Sequence, residues 1–108
     1  MAHYLITASY TGAAWAAQIE NPQNRIEVVR PLFEKVGGEI ESAFFAFGED
    51  DLVLIVRVPD NVSMAAVALV ASAGGGVANL KTTPLLSIED GMSALQQAGS
   101  LTYTPPGS

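Results

Sequence analysis

Three consecutive carboxylates, Glu49-Asp50-Asp51, stand between Gly48 and the apolar run Leu52 to Val58, and form the one acidic cluster that suggests a site. Adjacent acids can offer oxygens to Mg²⁺ or Ca²⁺. Ligating loops space their donors at alternate positions, however, and this triplet does not. Glu89-Asp90, the next acidic pair, lie far away in sequence. A charged turn that keeps a sheet edge in water needs no metal. The expectation is therefore no metal and no cofactor, with Glu49, Asp50 and Asp51 the only candidate ligands.

His3, the single histidine, could act as a general base if one end of the sheet forms a pocket. It has no evident partner near it in sequence, and an exposed chain end is the simpler role. With Tyr10 and Glu49 it completes the set of candidate proton carriers. Trp15, Phe45 and Phe47, with Tyr4 and Tyr10, are candidates to wall an apolar ligand pocket, or else to fill a core or an interface.

Other chemistry is excluded by position. Gly74-Gly75-Gly76 follows a helical stretch, whereas phosphate-cradling loops precede one, and Lys81-Thr82 comes too late for a P-loop. Ser9, Ser42, Ser63 and Ser72 have no recognisable base, and no Gly-x-Ser-x-Gly elbow exists. The chain has no cysteine, hence no disulfide, thiolate nucleophile or Cys-ligated zinc.

The elements that must position these residues are legible. His3 to Tyr10 is rich in strand formers, and residues 13–20 suggest a short helical turn. From Arg25 to Val36, Ile26, Val29, Leu32, Phe33 and Val36 recur at helical spacing. Asn21-Pro22 suggests its cap, Gly37-Gly38 its stop, and Pro31 a kink or a second start. Glu39 to Phe47 reads as a strand with Ile40, Ser42, Phe44 and Ala46 on one face. A hairpin leads to Leu52–Val58, apolar on both faces up to Arg57, as a central strand should be. Asp60-Asn61 caps a helix from Val62 to about Ala73. Val77 to about Ile88 forms a last strand, with Pro84 marking an edge or bulge. A short helix runs from Glu89 through Met92, Leu95 and Ala98.

This order predicts an α+β, ferredoxin-like βαββαβ plait: a four-stranded antiparallel sheet with helices on one face. One domain of residues 1–98 and a loose tail, 99–108, account for the chain of 108 residues. A net charge of −6 with only five scattered cations argues against nucleic acid. The start lacks a basic n-region and no run of about eighteen apolar residues occurs, so a soluble, cytoplasmic protein without a membrane partner is expected.

At 49% hydrophobic and 15% charged, so small a chain must carry apolar surface. The Val62–Ala73 helix has no charge. Val62, Ala66, Leu69, Val70 and Ala73 can face the sheet, leaving Met64, Val67, Ala68 and Ala71 outside, and a helix apolar all round is expected to be covered all round. Covering about 200 Å² of that outer side would contribute about 5 kcal/mol before the cost of association. The open sheet face poses the same problem. Self-association into a homo-oligomer, a dimer or higher, is the expected solution.

The stretch GGEIESAFFAFGEDDLVLIVRVPDN, then an Ala-rich helix and VANLKTTPLLSIED, resembles the GYD-domain family. The resemblance runs from about Tyr4 to Leu95 and rests on Gly37-Gly38, Phe47-Gly48-Glu49, Asp51, Pro59-Asp60 and Thr82 to Leu86. It implies a dimeric α+β barrel and no particular chemistry. The family's tyrosine in the Gly-Glu-Tyr-Asp run is Asp50 here, so no role of that phenol carries over.

Two functions remain. One is a non-enzymatic oligomeric module that binds a small apolar ligand or a protein partner. The other is a cofactor-independent enzyme of the dimeric-barrel kind, an oxygenase or isomerase acting on a small apolar substrate, with His3, Tyr10 or Glu49 moving a proton. Fold analogy alone suggests the second.

Overall fold

Strand formers and helix caps alternate along the chain to give β1 (Ala2–Tyr10), α1 (Gly12–Glu20), α2 (Arg25–Lys35), β2 (Glu39–Phe45), β3 (Leu52–Val58), α3 (Asn61–Ala73), β4 (Val77–Leu85) and α4 (Ile88–Ala98). The computed structural model describes residues 1–107; the final residue of the expected tail, Ser108, lies outside them. The sheet is antiparallel in the order β2-β3-β1-β4, consistent with a ferredoxin-like plait with the two apolar strands central. No helix among the described residues is long and apolar enough to cross a membrane.

The core lies between the sheet and helices α2 and α3. Tyr4, Ile6, Leu54, Val56 and Val58 point inward from β1 and β3, meeting Phe33, Met64 and Val67. The Tyr4 hydroxyl, carried into this apolar layer, donates to Asn61 Oδ1 at 2.5 Å, so its burial leaves no unpaired donor.

Four local expectations are corrected. β2 stops at Phe45, because Ala46 N–H bonds Asp51 O in the turn, and Phe47 is left 98% exposed beyond the sheet. A bulge at Glu41 also reverses the faces of β2: Ile40, Ala43 and Phe45 share the core side, while Ser42 and Phe44 share the open side. The cap of α2 is Asn24, whose Oδ1 accepts from Ile26 N–H at 3.0 Å; Asn21 instead ends α1. Pro31 does not start a second helix: α2 runs through it from Arg25 to Lys35, and both Pro31 and Glu27 lie exposed, where the freed carbonyl meets water.

α3 is turned the other way from the expected face. Met64, Val67, Ala68 and Ala71 face the sheet, whereas Val62, Leu69 and Val70 are exposed. An almost uniformly apolar helix has no hydrophobic stripe to set its rotation, so shape decides: Met64 and Val67 fit the space above Leu54 and Val56.

β4 is an edge strand with Pro84 opposite Tyr4, and it also bulges, Asn79 taking φ 50° where the register with β1 shifts. It ends at Leu85; Ser87 accepts from Asp90 N–H at 3.0 Å and starts α4 at Ile88. α4 buries no residue and stands clear of the domain, so the molecule measures 59 × 35 × 22 Å.

Candidate functional site

At the C-terminal end of β1 the chain turns sharply. Thr11 Oγ1 accepts from Ala14 N–H at 3.1 Å, starting α1 at once and swinging Trp15 back over Tyr10. The two rings meet edge to face with centroids 5.0 Å apart, and Phe45 lies 6.0 Å from Trp15. One carboxylate oxygen ties this corner together: Asp51 Oδ2 accepts from the Tyr10 backbone N–H at 3.0 Å and the Trp15 indole N–H at 3.3 Å.

Beneath this corner an apolar cleft of about 80 Å³ runs between the sheet and helices α2 and α3. Ile6, Ala8, Leu54, Leu32 and Val67 line it. Two wider recesses lie outside, one of about 650 Å³ between α1, α2 and the end of α3, and one of about 460 Å³ between the start of α2 and the end of β2. Tyr10 and Arg25 are the two residues that border the cleft and both recesses. They form its gate.

The electrostatics of the gate are uneven. Burial pushes the Tyr10 phenol above its ordinary 10.0; Arg25 pulls it down and Asp51 adds to the rise, but burial dominates. At neutral pH the phenol is thus a neutral O–H donor. Arg25 is the first residue of α2, where its charge adds to the positive end of the helix dipole. Among the described residues neither it nor the exposed Lys35 forms an ion pair, whereas Arg30 pairs with Glu27, Arg57 with Glu39 and Glu41, and Lys81 with Asp50; of the two, Arg25 alone is partly buried.

The three clustered acids diverge. Asp51 turns inward as above, Asp50 lies 3.5 Å from Lys81, and Glu49 is exposed, its carbonyl 3.4 Å from Ser9 Oγ. Among the described residues, no group of three or more His, Asp or Glu converges where a metal could sit. His3 lies at the other end of β1, on the open sheet face, 3.2 Å from Glu41. The residues lining the cleft include neither His3 nor Glu49. Trp15 and Phe45 meet beside Tyr10, while Phe47 points into water.

Sequence patterns alone missed the place of Arg25 and the bonding of Asp51. A cation directly after a capping Asn, in a chain with so few cations, was the available signal for the first.

The GYD domain model matches residues 4–95, and the chain belongs to the GYD-domain family. Comparison with curated proteins and with solved structures found no match.

Proposed function

We propose that this protein is a non-enzymatic module that binds a small apolar ligand in the cleft beneath Tyr10 and works as a homodimer. The observation that carries this is the cleft itself: an apolar slot with one neutral phenol and one unpaired cation at its mouth. Ligand sites of this type are mostly apolar with a few placed polar groups. Proton transfer on a bound substrate would need an acid and a base within reach of it. His3 is held at the far end of β1, about 23 Å from Tyr10 at strand rise.

Self-association is supported by the side of the sheet that no helix covers. Leu5, Val53, Ile55 and Leu85 lie there beside Phe44, which is 67% exposed. Ion pairs rim the patch, with His3, Glu41, Arg57 and Glu39 at one end and Lys81 with Asp50 at the other. Such a face, four strands wide and about seven residues long, projects about 440 Å² in plane. α4 supplies more, since Ile88, Met92 and Leu95 form an exposed apolar stripe on an 11-residue helix too short to persist alone in water. A second copy would cover both.

Native mass spectrometry of the protein as purified tests this. A dimer carrying a discrete small-molecule mass that denaturation releases is the expected result. A bare monomer at micromolar concentration would refute the proposal, and a dimer with no adduct would move the function to partner binding.

A further inference from the structure

Arg25 carries the inference furthest. In an acidic protein a half-buried guanidinium without a carboxylate partner is unusual, because ion pairing or open water normally offsets the desolvation of a charge. Here Arg25 stands at the positive end of α2 and borders the apolar cleft together with Tyr10, whose phenol is protonated. The Arg25 charge and the helix dipole favour a negative group at the gate, and the protonated phenol can donate a hydrogen bond to it.

The volume of the cleft restricts the group attached to that charge. A cavity of about 150 Å³ holds a benzene ring, and this one is about 80 Å³. By that measure about three carbons at the end of an alkyl chain fit within the cleft, the rest of the chain lying at the gate, and a ring does not fit. On the outer side, Glu20 lines the larger recess and Glu27 the smaller. Those carboxylates disfavour a second negative group further out.

Resting on the ligand-binding proposal above, we infer that the site selects an unbranched aliphatic monocarboxylate, its carboxylate between Arg25 and Tyr10 Oη and its chain in the cleft toward Leu54. Arg25 offers two parallel N–H donors and Tyr10 an O–H, so the head group's oxygens are satisfied where water is thin.

The test is an amide chemical-shift titration of the intact protein with three probes: hexanoate, 1-hexanol and cyclohexanecarboxylate. Hexanoate is expected to shift the amides of Ala8, Leu54 and Val67 and to bind about tenfold more tightly than 1-hexanol, as a charge-assisted hydrogen bond implies. Cyclohexanecarboxylate should bind more weakly than hexanoate. Arg25→Gln should lower hexanoate to the level of 1-hexanol, with Arg25→Lys recovering part of the difference. Equal binding of hexanoate and 1-hexanol would overturn the anion and leave the apolar cleft standing. Equal binding of the ring acid would overturn the slim chain. No shift in the cleft with any probe would remove the binding proposal together with this inference.

Discussion

Trp15 donates its indole N–H to Asp51 across 3.3 Å, and the oxygen that receives it also holds the last backbone N–H of β1. A turn residue on the β2–β3 hairpin thereby fixes the corner at which the cleft opens. Asp51→Ala leaves both donors without a partner in a half-buried place. It should cost about 1–3 kcal/mol. Trp15 is the only tryptophan, so its emission should shift red in the folded variant and report the urea transition directly. Asp51→Asn, which keeps one accepting oxygen, should lose less.

α3 gives a second prediction. Met64 is buried against the sheet and Leu69 is 70% exposed. Met64→Ala should cost about 2–5 kcal/mol in chemical denaturation. Leu69→Ala should stay within about 0.5 kcal/mol. A larger cost for Leu69→Ala that grows with protein concentration would place that face in an interface.

These two residues also mark what the sequence could tell. Strand order, the centrality of β1 and β3 and the edge position of β4 arise from hydrophobic runs and Pro84, and all are present. The rotation of α3 was not legible, because a helix apolar on every side has no stripe to orient it. The reversal within β2 hides in the single extra residue Glu41, since a bulge leaves no mark on composition. Of the site, Tyr10 is recognisable as a type, as are Trp15 and Phe45, which pack at its corner without lining the cleft. Their meeting depends on Thr11 starting a helix directly after a strand, and Arg25 reaches them only through the fold.

Gly38 is the tightest point of the backbone. A Cβ there would lie 2.7 Å from Arg57 O and 3.2 Å from Val58 Cγ2, against the central strand. Backbone cannot step aside as a side chain can, so Gly38→Ala should destabilise by about 1–3 kcal/mol, read as an earlier urea midpoint with an unchanged slope.

Acid should weaken the start of α3. Asp60 accepts from Ser63 N–H at 2.8 Å, and that backbone bond, more than any other influence, holds its carboxyl below the usual 3.8. A value lower folded than unfolded means the stabilisation is whole above the unfolded value and fades as pH falls through the folded one. Wild type should therefore be more stable than Asp60→Ala at pH 7, with the gap in melting temperature closing below about pH 4. A gap independent of pH would show that the charge is not what caps the helix.

The open sheet face offers a direct perturbation. Ile55 sits at its centre, opposite Leu5. Ile55→Lys places a charge in the proposed interface without touching the core. It should convert a dimer to a monomer in light scattering at micromolar concentration while circular dichroism stays unchanged.

The most direct measurement on the site is a crystal structure of the protein soaked in hexanoate. Binding at the gate predicts density for the acid with its head between Arg25 and Tyr10 and its chain directed at Leu54. A cleft left empty at saturating hexanoate, or density only on the sheet face or elsewhere on the surface, would contradict it.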